Sequence, residues 1–296
     1  MEITASKMLE LTHLIAKNSP EEGANQTLVP NLKTWKISEP YQKTPQVYEP
    51  CIIIGAQGRK NIYLDGKRYD YNPGSFMTLF APMPLECELI EASPEKPLLA
   101  AMIQIDRKRC SRMIFKMEQS DLQQTRQEPP DNVSGIFSAP VNQKLLNVVI
   151  RLFNTLDDPN EASILGDSAI DEIYFRILSD EQGGMLKYHL QQRGQIHEIS
   201  KAVEYVHENL DKSISIDDLA NIVNMSSSGF HKKFKEVMHL SPLQYAKSIK
   251  LNKAQTYIVE GKSVSEAGFM VGYNSPAQFS REYKRFFGMA PSATLS

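Results

Sequence analysis

Cysteine is scarce in this chain. Three in 296 residues (Cys51, Cys87 and Cys110) cannot build a disulfide framework, and no two stand at C-x-x-C spacing, which excludes a zinc knuckle and a thioredoxin-like redox motif. Long apolar runs are missing as well. The longest, residues 51–56 and 98–103, are far too short to cross a bilayer. The first ten residues carry acids early and lack the basic region and apolar core of a signal peptide, so a cytoplasmic protein with no membrane partner is expected. Net charge is nearly absent too: 33 Lys+Arg stand against 35 Asp+Glu, a formal −2. That excludes a chain that is basic all over and leaves room for a local basic patch.

What is present fits a soluble globular chain, 41% hydrophobic and 23% charged. Its length suggests two domains. Glycine and proline punctuation divides it into a β-rich half and an α-rich half. Short apolar or alternating runs at 51–56, 61–64, 67–71, 75–80, 85–90 and 98–105 read as strands. They are separated by the hairpin dipeptide Asp65-Gly66, the turn Asn72-Pro73-Gly74 and a proline-rich loop at 92–97. Six or more such strands predict a small barrel or sandwich. An amphipathic helix is expected over 1–18, and residues 121–140, with Pro129, Pro130 and Pro140, read as a loop. Leu145, Leu146, Val149, Leu152, Phe153 and Leu156 give one helix, and Ile164, Ile170, Ile173, Tyr174 and Ile177 another. Asp180-Glu181-Gln182-Gly183-Gly184 breaks the pattern and helix resumes at Met185, which places a domain boundary near 180–195.

The last hundred residues repeat. A shift of 49 positions brings Ser226 onto Ser275, Phe230 onto Phe279, Lys232 onto Arg281, Phe234 onto Tyr283, Lys235 onto Lys284 and Pro242 onto Pro291. Each copy reads helix, turn, helix. In the first, Ser215 caps a helix over 216–223, Asn224-Met225 turns, and Ser226 caps a second helix to Met238. Phe230, Phe234 and Val237 face inward at i, i+4, i+7 spacing, while Ser228, His231, Lys232 and Lys235 lie on the other side. In the second, Gly272-Tyr273-Asn274 turns and Ser275 caps, with Gln278, Arg281 and Lys284 outward. A second helix with a basic outer face describes a DNA-binding helix-turn-helix. Pro242 opens a linking helix to about Val259, marked by Tyr245, Ile249, Leu251, Ala254 and Ile258. Its length of about 26 Å, with flanking turns, suits two reading helices one DNA turn of about 34 Å apart. Residues 196–296 hold 12 basic and 10 acidic residues, so positive charge is concentrated on the reading helices rather than spread over the domain.

Residues 197–296 resemble the paired helix-turn-helix domain of the AraC/XylS family of bacterial transcription regulators. The resemblance rests on Ile216-Asp-Asp-Leu-Ala220, Met225-Ser226 with Phe230 and Phe234, and Leu240-Ser-Pro-Leu-Gln-Tyr245. Above all it rests on Val271-Gly-Tyr-Asn-Ser-Pro-Ala-Gln-Phe-Ser-Arg-Glu-Tyr-Lys-Arg-Phe-Phe-Gly-Met-Ala-Pro291. Gly268 departs from the usual alanine, which by propensity loosens its helix by about 1 kcal/mol. The tyrosine that usually follows Pro291 by a few residues is missing. The resemblance implies that Ser228, His231 and Lys232, then Ala277, Gln278 and Arg281, face bases, with Ser226 and Ser275 at the helix starts. Arg281 would fork onto guanine and Gln278 onto adenine. Lys235 and Lys284 would meet phosphate.

Residues 24–110 resemble the cupin-like N-terminal regulatory domain of one branch of that family. The carrying residues are Tyr48-Glu-Pro50, Gln57-Gly-Arg-Lys60, Asp65-Gly66, Asn72-Pro-Gly74 and Glu91-Ala-Ser-Pro-Glu95. The implied architecture is α+β. A small cupin-like β-barrel over about 24–110 with flanking helices over about 141–190 forms a regulatory or dimerisation domain at 1–190. An all-α double helix-turn-helix domain follows at 196–296, with motifs at about 216–237 and 265–286. A cupin enzyme would need converging histidines, yet His13, His189, His197, His207, His231 and His239 all lie outside the barrel segment. No enzyme, cofactor or metal site is therefore expected. Ile53, Tyr63, Phe76, Leu79 and Phe80 either line an effector pocket or simply fill the barrel; Glu49, Arg59 and Lys60 either bind a polar effector or pair on the surface. Cys51 and Cys87 are read as inertly buried rather than as reactive thiolates. The helix over 142–156 is either a dimerisation element or a cover for its own barrel. The expected partners are double-stranded promoter or operator DNA, with RNA polymerase added if the protein activates, and a small effector and a second copy left open. The alternative is a constitutive DNA binder whose barrel only dimerises.

Overall fold

A central sheet with both faces covered organises the first half of the chain. The computed structural model describes residues 5–120, 135–180 and 195–294. Helix α1 (Ala5–Lys17) precedes strands β1 (Gly23–Gln26), β2 (Leu32–Ile37), β3 (Tyr41–Tyr48), β4 (Cys51–Gln57), β5 (Arg59–Leu64) and β6 (Lys67–Tyr71). There follow β7 (Ser75–Leu79), β8 (Met83–Glu91), β9 (Leu98–Gln104), α2 (Arg107–Ser120), β10 (Ile136–Pro140), α3 (Gln143–Asn154) and α4 (Pro159–Leu178). The strands form two antiparallel sheets, ordered β1-β2-β9-β4-β7-β10 and β3-β8-β5-β6. They make a cupin-like sandwich and do not close into one barrel.

The side-chain period of two sorts residues between the faces of the larger sheet. On β4, Ile52 and Ile54 join a core with α1, α3 and α4, whereas Cys51 and Ile53 point at the four-stranded sheet. On β9, Leu99, Ala101 and Ile103 take the helix side and Leu98 and Ala100 the sheet side. A strand covered on both faces needs apolar residues at every position, which is why the run Cys51-Ile52-Ile53-Ile54 is continuous rather than alternating. At the β5–β6 hairpin Asp65 and Gly66 both adopt positive φ (50° and 74°), the type I′ geometry expected of Asp-Gly.

Helix α3 answers the question of its role within the chain. Leu145, Leu146, Val148, Val149, Ile150, Leu152 and Phe153 are all buried in the core shared with α1 and α4, so its apolar faces are consumed by its own domain rather than offered for dimerisation. Part of the stretch expected as a loop over 121–140 is strand β10, paired with β7 from Ile136↔Leu79 to Pro140↔Ser75. Pro140 is tolerated there because β10 is an edge strand and the proline is its last residue. The rest of that stretch, the boundary expected between 180 and 195 and the helix start at Met185 fall outside the described residues.

The second half is helical: α5 (Gln195–Glu208), α6 (Ile216–Ile222), α7 (Ser227–Met238), α8 (Pro242–Val259), α9 (Val264–Met270) and α10 (Pro276–Phe287). Leu219, Phe230, Phe234, Val237, Tyr245 and Ile249 belong to the same apolar cluster as the inter-sheet residues Ile53, Met83 and Leu85. The first helix-turn-helix is thus fused to the sandwich. The second has its own cluster, with Leu251, Ala254, Ile258, Phe279 and Tyr283. No helix among the described residues is long and apolar enough to cross a membrane, and no group of three or more His, Cys, Asp or Glu among them is placed to hold a metal ion.

Candidate nucleic-acid interface

Two helix pairs are built from the same local code. Ser215 and Asp218 form a capping box at the start of α6, and Ser263 and Glu266 repeat it at α9. Both first helices end in a residue with positive φ, Asn224 (53°) and Gly272 (83°). The Ser226 hydroxyl accepts the Gly229 N–H (3.2 Å) and Ser275 accepts that of Gln278 (3.3 Å), so both serines are spent on capping α7 and α10. α7 and α10 lie 49 residues apart at both ends, whereas α6 and α9 lie 48 apart. The second turn therefore holds one residue more than the first.

Phe230, Phe234, Val237 and Met238 are buried on α7, and Phe279, Tyr283 and Phe287 on α10. The opposite faces stand in solvent: Ser228, Lys232 and Lys235 are exposed and His231 half-buried, while Ala277, Gln278, Arg281 and Lys284 are all exposed. The expected residues stand at i, i+3, i+4 and i+7 on α7 and at i, i+1, i+4 and i+7 on α10. Lys232, Lys235, Arg281 and Lys284 form no ion pair among the described residues, while Lys233 pairs with Glu236 at 3.6 Å. The Gln278 amide leans on Glu282 (3.4 Å). Glu282 also accepts from the Tyr273 hydroxyl (2.9 Å) and pairs with Lys247 of α8 (3.2 Å), tying the reading helix to the linker. Burial works to raise the Glu282 pKa, but the hydrogen bonds from Tyr273, Lys247 and Gln278 outweigh it and hold the carboxyl below its usual range. Exposed Arg285, beside Lys284, adds a cation to this end of the helix that the 49-residue alignment had not singled out.

A cavity of about 510 Å³ opens between the two sheets. The larger sheet contributes Trp35, Ile37, Ile53, Ala100 and Met102, and the smaller contributes Gln46, Tyr48, Lys60, Ile62 and Tyr71. Asn252 and Gln255 of α8 complete its wall, so the helix joining the two motifs touches the same space. Of the expected pocket residues, Ile53, Glu49 and Lys60 line it. Phe76 and Phe80 instead face the helix-side core. Leu79 is buried in the inter-sheet core away from the lining, and the Tyr63 hydroxyl donates to Glu88 (2.9 Å). Arg59 pairs with Glu91 at 2.7 Å on the surface. Trp35, Tyr48, Asn252 and Gln255 were not foreseen. The signal for Trp35 was its uniqueness, since it is the single tryptophan of the chain.

The N-terminal part of the chain, residues 28–185, matches the family described as AraC-type transcriptional regulator N-terminus, and residues 219–296 match a helix-turn-helix domain. A probable transcriptional regulator LumQ of Photobacterium leiognathi is 32% identical over 89 residues, 30% of this chain and 36% of that protein. A lactose operon transcription activator of Staphylococcus xylosus is 26% identical over 146 residues, 49% of this chain and 52% of the relative. The chain thus spans from about a third to about half the length of these relatives. Among solved structures, wild-type ToxT of Vibrio cholerae bound to an unsaturated fatty acid superposes with a TM-score of 0.58 at 12% identity, covering 90% of this chain and 93% of that one. That likeness extends the shared fold across both halves. With the N-terminal family covering more than half of its residues, the chain belongs to the AraC-type transcriptional regulators.

Proposed function

We propose that this chain is a sequence-specific, non-enzymatic transcription regulator that acts in the cytoplasm. In this reading, residues 196–296 bind duplex DNA and residues 1–190 regulate that binding. The carrying observation is the duplication: two capped helices, α7 and α10, each with a buried aromatic face and an exposed face whose Lys232, Lys235, Arg281 and Lys284 form no ion pair among the described residues. Separated by an 18-residue linker of about 27 Å, they suit two successive major grooves. Arg281 and Gln278 on α10, with Ala277 beside them, and Ser228, His231 and Lys232 on α7 are the base-facing set. Lys235 and Lys284 hold phosphates, and Ser226 and Ser275 fix the helix starts. The relative named for operon activation supports a role at promoters, and the fatty-acid-bound ToxT structure supports a small effector in the inter-sheet cavity, whose wall includes the linker helix. The same reading brings in a second copy of the chain and, for an activating role, RNA polymerase.

Selection of bound genomic fragments at fixed salt, followed by footprinting, tests it. The expected result is a protected site with two contact zones one helical turn apart. Arg281→Ala is expected to weaken that site by about 1–3 kcal/mol and relax preference at one base pair. Lys235→Ala is expected to weaken all sequences alike and lower the salt slope by about 1. Absence of protection even at low salt would overturn the reading.

A further inference from the structure

We infer that the cavity between the sheets takes an apolar molecule carrying a carboxylate, with its head group on Lys60; that this molecule is an effector rests on the regulator reading above. Lys60 is 6% exposed, yet its charge has no carboxylate partner among the described residues. Its ammonium donates to the Tyr48 hydroxyl (2.7 Å) and to Gln46 Oε1 (3.3 Å), and it lies 5.5 Å from the ring centres of both Tyr41 and Tyr48. Two neutral oxygens, the Cys87 thiol and two aromatic faces surround the cation and orient it without neutralising it. A buried charge without a counter-charge is costly, so this site is built for an anion that arrives from outside.

An independent observation points the same way. Among the described residues three buried side-chain atoms lack a hydrogen-bond partner, and two of them, the Tyr71 hydroxyl and the Trp35 indole N–H, belong to this cavity. Tyr71 is the direct cross-strand partner of Lys60, so the two side chains rise from the same face of the smaller sheet. Trp35 reaches in from the opposite sheet. Side chains carrying unpartnered donors thus reach the wall of one cavity from both sheets, while the one carboxylate of the lining, Glu49, is exposed.

The remaining wall decides the body of the ligand. Ile37, Ile53, Ile62, Ala100 and Met102 form an apolar stretch of that wall, with the polar Asn31, Lys33 and Gln104 elsewhere along it. A hydrocarbon chain or aromatic ring with one acidic head satisfies both parts of the cavity.

The single tryptophan makes the test local. Full-length protein is titrated with decanoate, with decan-1-ol and with lactose while Trp35 fluorescence is followed, and DNA footprinting is run on the same preparation. Decanoate is expected to give a saturable change, about ten- to a hundred-fold tighter than the alcohol, the size of one charge-assisted hydrogen bond. Lys60→Met is expected to abolish that preference, weakening decanoate far more than decan-1-ol. Tyr71→Phe, which keeps the ring, is expected to weaken decanoate several-fold and the alcohol not at all. Equal binding of acid and alcohol, an acid preference that survives Lys60→Met, saturation by lactose in place of decanoate, or no response to decanoate would each overturn the inference. DNA protection without a decanoate response defeats the ligand class and leaves the regulator standing. Decanoate binding without DNA protection does the reverse.

Discussion

At the scale of single residues, Tyr174 shows how one hydroxyl fastens a helix to a sheet. It is fully buried on α4, donates to the Gln104 carbonyl at 2.7 Å, and accepts the Asp106 N–H at 3.1 Å. Those two backbone groups lie where β9 ends and the chain turns into α2, so no ladder partner is available to them. Tyr174→Phe keeps the ring and strands both groups. The expected loss is about 1–3 kcal/mol, read as a lower midpoint with unchanged slope in urea unfolding. The cysteines illustrate the opposite case, side chains used only for their bulk. Cys51, Cys87 and Cys110 are buried, and burial pushes their thiols up, that of Cys110 to about 12. Iodoacetamide at pH 7.5 is expected to leave all three unmodified in the native protein and to label them after unfolding; labelling of the native state would contradict the packing.

At the scale of elements, the two turns show why copies of one motif differ in sequence. Gly272 has a φ of 83°, and a Cβ there would lie 2.6 Å from the Asp211 carbonyl oxygen and 2.8 Å from its carbon. The second turn is pressed against the backbone that precedes the first motif. Asn224, its counterpart in the first turn, keeps a side chain at a φ of 53° and is exposed. Gly272→Ala is therefore expected to cost more than the roughly 1–2 kcal/mol of a left-handed alanine, whereas Asn224→Gly should shift the melting temperature little. Comparable losses at both positions would count against the close approach. Gly268 has a similar explanation. Propensity makes it a liability, but an added Cβ would stand 3.0 Å from the Phe279 ring, while Ala220 serves at the matching place in the first copy. Most of this region was legible in the sequence because caps, apolar stripes and linker are local features. α8 runs over the expected Pro242–Val259, and Ser226 and Ser275 cap as expected. The extra residue in the second turn was not legible, because the 49-residue alignment was anchored on the reading helices alone. Nor were β2 and β3. Lys33, Lys36 and Lys43 interrupt their patterns, and Pro45 argues against a strand until β3 is seen at a sheet edge. Those two strands carry Trp35, Gln46 and Tyr48, so the cavity stayed hidden while the DNA-facing helices did not.

At the scale of the whole molecule, the first motif shares its core with the sandwich and the second does not, and histidine follows that division. His207 of α5 sits 2.9 Å from the hydroxyl of buried Tyr245, and His239 ends α7 near Asp65 and Lys67 of the β5–β6 hairpin. The Val237 carbonyl, two residues earlier, accepts the Gly135 N–H at 3.2 Å and clamps α7 to the sandwich. Burial lowers the pKa of both histidines; Glu49 opposes it at His207, and at His239 Asp65 opposes it while Lys67 adds to it. With the folded-state pKa depressed, the unfolded chain binds more protons below about pH 6.5, so this stability is present above that pH and is lost as the pH falls. No histidine lies beyond His239, so the second motif has no such proton-linked contribution. Acidification from pH 7.5 to 5.5 is expected to lower the melting temperature and to release amide protection in α5 and α7 before α10. His207→Gln is expected to flatten part of that pH dependence. Uniform loss of protection across both motifs, or a wild-type slope in the variant, would show that the junction is not where protons act. The asymmetry matters for regulation, because a motif fused to the sandwich can be oriented by what the sandwich holds, and α8 then carries that orientation to a partner motif with a core of its own.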